Sequence, residues 1–507
     1  MDAQVQELMR RVPSVDAILR EPGWEGWAAQ YGQKPVTNAV REAMDQVRRQ
    51  LLDQPPWRGR PALVSTEGVP PLDRGQDAHD TQGQDGLATD ETAIRGRIVA
   101  AAKSRLEEMM RPYYRRAVNA TGIILHTGLG RAVLPAQALE QIQQTLQSYS
   151  LIQVDRETGK RSRRDERIEG LLQRLTGAES ATVVNNNAAA TAIVLNTVAR
   201  GKEVIVSRGQ LVEIGGSFRL PEVMAFSGAK LVEVGTTNKT HPRDYENAIT
   251  ENTAAILRVH PSNYKIQGFS SEVPLDELVA IAHKHNLVMI DDVGAGALID
   301  FSQFGFEPEP MLADSIRQGA DIVTCSGDKL IGASQAGLIL GKKTLIDAVR
   351  KNQFARIVRV GKLTLAVLEA TLKLFLDESI ALREVPTLQM LRRSEDEIRE
   401  HAARLASDLH KKNVAAVVGT TSGFSEMGSG SLPTQNLATT LVAITPKETS
   451  VDVLAQRLRL SEPPVFARIQ NDQVLIDPRT LRAGDDEIIT AAVTAALAIE
   501  VARASCP

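Results

Sequence analysis

The apolar residues of the first fifty positions recur at the spacing of a helix. Residues three and four apart share one helical face, so such a series predicts an amphipathic helix. Two series have this spacing: Leu8, Val12, Val15, Ile18 and Leu19, and then Val40, Met44, Val47 and Leu51. We therefore predict a small helical domain over residues 1–53.

The pattern changes after residue 53. Residues 54–90 contain Pro55-Pro56 and Pro70-Pro71 with repeated glycine, glutamine and aspartate, and few residues that could build a core. This composition predicts a flexible linker or insertion. A charged connecting helix is predicted next, over residues 91–117. Its basic residues are Arg95, Arg97, Lys103, Arg105, Arg111, Arg115 and Arg116.

Short β-rich runs alternate with helical segments from about residue 118 onward. The runs are Ala181–Val184, Glu203–Val206, Lys230–Val234, Ala254–Val259, Leu287–Asp292 and Ala320–Cys325. Strands separated by helix-length segments predict βαβ units and a mostly parallel sheet that is covered on both faces. The predicted fold class is α/β, with a large domain over residues 118–363 and a smaller α/β domain over residues 364–507.

Two of these runs end in residues that suit one cofactor. Lys329 lies in the small-residue loop Ser326-Gly327-Asp328-Lys329, directly after the run that ends at Cys325. A lysine rooted by a strand among small neighbours is placed to form a Schiff base with an aldehyde. Asp292 ends another run, and pyridoxal phosphate needs a carboxylate at its pyridine nitrogen. We therefore predict pyridoxal phosphate, with Lys329 as its attachment point and Asp292 at the ring nitrogen.

The phosphate of this cofactor has a candidate site where a helical run follows residue 184. Backbone N–H groups at a helix start bind phosphate, so we assign Asn186, Asn187 and Ala188 to it, with the Ser326 hydroxyl as a further ligand. Taken singly, each residue has a structural alternative: a capping asparagine, a turn serine, a capping aspartate or a solvated lysine. Their order along the chain matches fold type I pyridoxal enzymes and favours the cofactor site.

Composition limits the partners, metals and compartment that we expect for this protein. The net charge is −3, so contact with nucleic acid would require local basic patches. Cys325 and Cys506 cannot build a disulfide framework, and no His/Cys cluster has metal-ligand spacing, so we expect no metal. No apolar run reaches the length of a membrane span and the N-terminus starts no signal peptide. We expect a cytoplasmic protein without a membrane partner.

Several longer motifs resemble those of a known family. The most distinctive covers residues 119–131, Asn-Ala-Thr-Gly-Ile-Ile-Leu-His-Thr-Gly-Leu-Gly-Arg. Others lie at residues 175–179, 184–190, 213–219, 233–238, 262–269, 326–330 and 428–433. Together they resemble the bacterial selenocysteine synthases, the L-seryl-tRNA(Sec) selenium transferases, over nearly the whole chain outside residues 54–90. The resemblance implies a fold type I, aspartate aminotransferase-like architecture.

The resemblance also implies residue roles. Lys329 is then the Schiff-base lysine, with Asp328 beside it as a further catalytic residue. The anion-binding arginines are then Arg131, Arg356 and Arg359. The i,i+3 spacing of Arg356 and Arg359 predicts that both lie on one helical face. A solvated basic surface is the alternative for this pair.

The reaction and partners implied by the resemblance are those of the tRNA enzyme. Seryl-tRNA(Sec) loses its β-hydroxyl by elimination, and selenium from selenophosphate adds to give selenocysteinyl-tRNA(Sec). The N-terminal helical domain is expected to bind the tRNA through a basic face, although a solvated helix surface explains the same charges. The basic residues are Arg10, Arg11, Lys34, Arg41, Arg48 and Arg49. The assembly implied is a homo-oligomer, a decamer built from dimers.

Two other functions stay open at this point. One is a paralogous pyridoxal enzyme that performs β-elimination or ammonia-lyase chemistry on a small amino acid or amino sugar. The other is a tRNA-binding protein without catalysis. The N-terminal helical segment argues against the first, and the retained Lys329 and Asp292 argue against the second.

Overall fold

The computed structural model describes residues 9–52, 91–216 and 218–504. The chain divides into two compact units between Arg115 and Arg116. The predicted linker over residues 54–90 and Cys506 lie outside the described residues. No described helix is long and apolar enough to cross a bilayer. The described ranges also contain no group of three or more His, Cys, Asp or Glu side chains placed to hold a metal ion.

The first unit is helical. Its helices are α1 (Val15–Leu19), α2 (Trp24–Tyr31), α3 (Gln33–Leu52) and α4 (Glu91–Met110). Helix α1 begins after Ser14, whose hydroxyl accepts a hydrogen bond from the Ala17 N–H at 3.1 Å and caps the helix. Helix α4 buries Ile94, Ile98 and Leu106 in the same core as α3. Residues 91–110 therefore contribute to the hydrophobic core of this unit.

The second unit is built on a seven-stranded sheet. Three short strands lie outside this sheet: β1 (Val118–Asn119), β4 (Glu213–Ile214) and β5 (Phe218–Arg219). The strands of the sheet are β2 (Ser180–Val184), β3 (Glu203–Ser207), β6 (Lys230–Val234), β7 (Thr253–Val259), β8 (Val288–Gly294), β9 (Ile322–Ser326) and β10 (Gly337–Gly341). Their order across the sheet is β2-β10-β9-β8-β7-β3-β6. Strand β10 is antiparallel to both of its neighbours, and the other pairs are parallel. The predicted mostly parallel sheet is confirmed.

Helices cover both faces of this sheet. The helices of this part of the unit are α5 (Ala136–Thr145), α6 (Glu166–Thr176), α7 (Asn187–Val198), α8 (Leu220–Ser227), α9 (Pro242–Ala248), α10 (Leu275–Lys284), α11 (Leu312–Arg317), α12 (Lys343–Lys351), α13 (Phe354–Ile357), α14 (Lys362–Leu374), α15 (Glu378–Glu384) and α16 (Pro386–Arg392). Of these, α5 packs on α14 through Ala138. Successive residues of β3 enter different cores, with Ile205 in one and Val204 and Val206 in the other. This alternation explains why the strand is apolar throughout.

The C-terminal part of the second unit has its own sheet and core. Its elements are α17 (Glu395–Lys411), β11 (Ala416–Gly428), β12 (Ser431–Pro446), α18 (Val451–Arg459), β13 (Val465–Phe466), β14 (Arg468–Gln470), β15 (Gln473–Ile476) and α19 (Asp485–Ala504). Strands β11, β12, β15 and β14 form an antiparallel sheet. Strand β1 pairs with β13, and Val118 packs in this C-terminal core. Helix α14, by contrast, packs Leu365, Leu368 and Leu372 in the core of the large sheet.

Candidate active site

Three candidate segments meet at one edge of the large sheet. Val184 at the end of β2 lies opposite Gly337 of β10, and Gly337 lies opposite Ser326 at the end of β9. Asp292 of β8 lies opposite Thr324 of β9. Because the carboxyl ends of neighbouring parallel strands share one edge, the phosphate segment, Ser326 and Asp292 are brought together there.

Lys329 is buried beside this edge. It is 6% exposed, and its Nζ has neither a hydrogen-bond nor an ion-pair partner among the described residues. Burial lowers the pKa of the amine below that of an ordinary lysine, and the charge of Arg131 lowers it further, while Asp328, Asp292 and Glu309 oppose the shift. A neutral amine is both a nucleophile and a base, so the environment of Lys329 favours the reactive form.

Asp328 is held by Arg131. The Arg131 Nη1 donates a hydrogen bond to Asp328 Oδ2 at 2.6 Å, and Asp328 is 7% exposed. Arg131 adopts a left-handed backbone with φ of 64°, and its N–H donates to the His126 carbonyl at 3.0 Å. A charge-assisted pair of this kind fixes both side chains next to the lysine.

Asp292 is a buried carboxylate with three hydrogen-bond donors. It accepts hydrogen bonds from Asn187 Nδ2 at 2.9 Å, Thr191 Oγ1 at 2.8 Å and the Gly294 N–H at 3.1 Å. Burial raises the pKa of this carboxyl, and the three hydrogen bonds oppose that effect. A cationic group placed against Asp292 would stabilise the ionised form in the same way.

Helix α7 begins at the predicted phosphate segment. The Asn186 side chain caps the helix by accepting from the Ala189 N–H at 2.9 Å. The N–H groups of Asn187 and Ala188 have no acceptor among the described residues, so they are available to an anion. The Asn187 side chain donates to Asp292, so only the backbone N–H of Asn187 is available to a phosphate at the start of α7. Ser326 is 8% exposed, and its hydroxyl makes no hydrogen bond within the described ranges.

Arg356 and Arg359 lie close to the same edge. Arg359 forms an antiparallel bridge with Val184, and the Asn185 N–H donates to the Val358 carbonyl at 3.0 Å. Helix α13 ends at Ile357, so the prediction that both arginines share one helical face is wrong. Pairing with the end of β2 draws Arg359 into an extended conformation after the helix. Both side chains are exposed.

Three further residues near this edge were not among those predicted from the sequence. The first is Arg164. Burial is the largest cause that lowers the pKa of its guanidinium, and the positive charges of Arg359, Arg356 and Arg161 lower it further. The other two, His260 and Glu309, form a pair, with 3.2 Å between His260 Nε2 and Glu309 Oε2.

The His260–Glu309 pair lies beside the strand of Asp292. The His260 N–H donates to the Asp292 carbonyl at 2.9 Å, and the pair borders a cavity of about 300 Å³. His260 directly follows the run at residues 254–259, so the strand-end argument that selected Asp292 could have found it. Nothing in the sequence alone indicates Glu309.

The residues at this edge fit pyridoxal phosphate. Asn187 Oδ1 is buried without a partner, the Lys329 amine is unpaired within the described ranges, and the start of α7 offers free N–H groups. An aldehyde carrying a ring nitrogen and a phosphate has a complementary partner here for each of its groups.

The chain matches two family models. A family model described as L-seryl-tRNA selenium transferase matches residues 117–482. The chain belongs to this family. A second model, selenocysteine synthase N terminal, matches residues 9–48. The resemblance inferred from the motifs is confirmed.

Curated relatives in the family match most of the chain. The L-seryl-tRNA(Sec) selenium transferase of Desulfomicrobium baculatum is 42% identical over 496 residues, which cover 97% of this chain and 100% of that protein. The enzyme of the same name from Alkaliphilus oremlandii is 49% identical over 378 residues, which cover 75% of this chain and 81% of that protein.

A solved structure shares the fold. The structure of D-glucosaminate-6-phosphate ammonia-lyase superposes with a TM-score of 0.53 at 22% identity, covering 77% of this chain and 100% of that chain. The predicted fold type I architecture is confirmed.

Proposed function

We propose that this protein converts seryl-tRNA(Sec) to selenocysteinyl-tRNA(Sec) in the cytoplasm, with pyridoxal phosphate as cofactor and selenophosphate as selenium donor. One observation carries the proposal: the buried, unpaired Lys329 amine lies beside the Arg131–Asp328 pair and near Asp292. Members of the family with this name match the chain over most of its length.

The cofactor would be held by residues from three strand ends. Lys329 would attach to its aldehyde, and Asp292 would face its ring nitrogen. The N–H groups of Asn187 and Ala188, the capped turn at Asn186 and the Ser326 hydroxyl would hold its phosphate. Pyridoxal phosphate, when bound, supplies an electron sink that acidifies the α-carbon of the seryl group.

The side chains then have separate tasks in the reaction. The neutral Lys329 Nζ accepts the proton from the α-carbon, and burial, which lowers the pKa of this amine, favours its free-base form. The C–O bond to the β-hydroxyl breaks and the hydroxyl leaves as water. A C–Se bond then forms at the same carbon, water cleaves the Se–P bond of selenophosphate to release phosphate, and the proton returns from Lys329 to the α-carbon. The hydrogen bond between Arg131 and Asp328 keeps one guanidinium and one carboxylate beside the amine while these bonds change.

The selenium donor carries a phosphoryl group, which suits the arginines. Guanidinium groups bind such oxyanions bidentately and stay charged. Arg356 and Arg359 have exposed side chains with no acidic partner among the described residues, which supports their role as donor ligands together with Arg131.

The tRNA is proposed to contact the first unit through α3. Lys34 and Arg41 are seven residues apart on this helix, and both are exposed without an acidic partner in the described part of the chain. Residues seven apart lie on one face, so the two charges form a basic edge suited to phosphates.

The assembly is proposed to be a decamer built from dimers. Phe226 is 75% exposed and Ile357 is 73% exposed, and both border an apolar groove with Phe354. Contiguous apolar side chains of this size at a surface mark an interface with another chain. A sedimentation measurement of the purified protein tests the assembly.

The proposed reaction is tested by substrate choice. Purified protein supplied with pyridoxal phosphate and selenophosphate is offered seryl-tRNA(Sec), free serine or a phosphorylated amino sugar. The proposal expects a selenium-containing product from seryl-tRNA(Sec) alone. Ammonia release from the amino sugar without turnover of the tRNA would favour the small-molecule paralogue, and no turnover at all would favour a non-catalytic RNA-binding protein.

A further inference from the structure

A second concentration of arginines lies on the large-sheet unit, outside the residues assigned to the cofactor. We call it the α6 arginine surface, and its members are Arg156, Arg161, Arg163, Arg164, Arg167 and Arg174. Apart from Arg161, they line a hollow of about 410 Å³ between helix α6 and the segment that precedes it. A hollow lined by so many guanidinium groups suits an anionic ligand.

The segment before α6 is ordered by its own hydrogen bonds. The Asp155 side chain accepts from the Thr158 N–H at 2.7 Å and from its hydroxyl at 2.6 Å. The Asp155 N–H donates to the Lys160 carbonyl at 2.9 Å, and Val154 bridges to Arg161. The arginines of this segment therefore project from a fixed turn, which reduces the entropy cost when they bind a ligand.

The nearby acids do not neutralise the surface. Asp165 and Glu169 are buried and paired with Arg350, at 3.3 and 3.1 Å, and Glu169 also pairs with Arg163. Glu369 contacts Arg167 at 3.3 Å and Lys373 at 2.7 Å.

Four members of the surface are left without acidic ion-pair partners within the described ranges. Arg156, Arg161 and Arg174 are exposed, and Arg164 hydrogen-bonds only to the Val360 carbonyl and to Gln153 Oε1. Asp155, Glu157 and Glu166 are the exposed acids of the same stretch that lack a basic partner there. The balance of unpaired charge is therefore positive.

The α6 arginine surface continues to the candidate active site. Arg164 donates from Nη1 to the Val360 carbonyl at 2.8 Å, one residue after Arg359. Burial is the largest cause that lowers the pKa of Arg164. The positive charges of Arg359 and Arg356 lower it further, and Asp165 opposes the shift. Like charges gathered in this way are stabilised by a bound anion.

The extent of the surface indicates a polyanion. Arg167 and Arg174 are seven residues apart on α6, so they share a face and are about 10 Å apart along its axis. One guanidinium pair suffices for a single oxyanion, whereas a row of arginines matches successive phosphates of a nucleic-acid backbone.

We propose that the α6 arginine surface binds the phosphodiester backbone of the tRNA substrate and leads its aminoacyl end toward Lys329. The proposal rests on the proposed function, which makes an RNA the substrate. The surface would recognise backbone charge and not base sequence, because arginine contacts to phosphates carry no direct sequence information.

Equilibrium RNA binding by the full-length protein tests this proposal. Arg156→Gln combined with Arg174→Gln removes two exposed charges. The matched control combines Arg399→Gln with Arg404→Gln on α17, where the arginines pair with neighbouring Asp396 and Glu400. Binding of unacylated tRNA is measured by filter retention across a salt series, without selenium donor. Because the assay needs no turnover, it is independent of whether the proposed reaction occurs.

The expected result is a dissociation constant raised roughly tenfold in the double variant, with the log–log salt slope reduced by about one unit for each arginine–phosphate interaction removed. The control variant should bind as the wild type does. The double variant should lose the same factor in affinity for a tRNA of unrelated sequence, because the surface contacts only the phosphate backbone.

Two results would overturn the proposal. One is wild-type affinity and salt slope in the Arg156/Arg174 double variant. The other is a changed assembly mass in sedimentation, whatever the RNA affinity, because the surface would then be an interface between copies of the chain. This second measurement is necessary because exposed apolar residues lie near the α6 arginine surface: Tyr149, Leu151 and Val154.

Discussion

Arg131 donates a hydrogen bond of 2.6 Å to Asp328, the residue directly before Lys329. The two charges act on the lysine in opposite directions, since Arg131 lowers the pKa of the amine and Asp328 raises it. Burial adds to the effect of Arg131 and is the largest contribution. The pair therefore adjusts an amine whose reactivity is set mainly by its removal from water.

Arg131→Gln should raise the pKa of Lys329, and Asp328→Asn should lower it further. Only the free base reacts with an amine-selective reagent, so the pH midpoint of Lys329 labelling should move to higher pH in the first variant and to lower pH in the second. Peptide mass spectrometry of cofactor-free protein reports this labelling. A shift of both midpoints in the same direction would contradict the opposing roles.

Thr191→Val should weaken cofactor binding through Asp292. The hydroxyl donates to the buried carboxylate at 2.8 Å, and its removal raises the pKa of Asp292 and leaves one lone pair unsatisfied, at about 1–3 kcal/mol. We expect a cofactor dissociation constant roughly tenfold higher, measured by absorbance titration. Thr197→Val is the control, because this threonine on the same helix donates to the Ile193 carbonyl and accepts from Asn352 Nδ2 but contacts no carboxylate. Equal effects of both substitutions would show that Thr191 acts through helix stability alone.

Gly337→Ala should disrupt the phosphate segment. A Cβ at this position would overlap the Asn186 carbonyl oxygen and carbon, which are backbone atoms that cannot move aside cheaply. Overpacking of this kind costs about 1–3 kcal/mol or more, so we expect a lower thermal midpoint and loss of bound cofactor. Gly361→Ala, where a Cβ meets nothing within 4 Å, should leave both unchanged. A Gly337→Ala protein that holds cofactor normally would refute the close approach.

Lys34→Gln combined with Arg41→Gln should weaken tRNA binding through the first unit. Both charges are exposed on one face of α3, and removing each charge that binds a phosphate should lower the salt slope by about one. Filter retention measures the affinity, and absorbance should show cofactor content as in the wild type. Unchanged tRNA affinity would mean that the basic edge is only a solvated helix surface.

The strand ends of the sheet were predictable because buried parallel strands are continuous apolar runs. Asp292 and Lys329 end or follow such runs, so their approach to one edge follows from the topology. Arg164 and Glu309 were not found because each reaches the site only through tertiary packing. Arg359 was placed on a helix by its spacing, but a bridge to Val184 determines its conformation. Local periodicity cannot report such a long-range interaction.

The proposed reaction is tested by the mass of the aminoacyl group on tRNA(Sec) after incubation with the protein, pyridoxal phosphate and selenophosphate. Wild-type protein should replace seryl with selenocysteinyl groups. Lys329→Ala should produce none and lack the visible absorbance of bound cofactor, while Lys351→Ala, on the exposed face of α12, should behave as the wild type. Seryl groups left unchanged by a wild-type protein that holds its cofactor, or turnover by Lys329→Ala, would contradict the account.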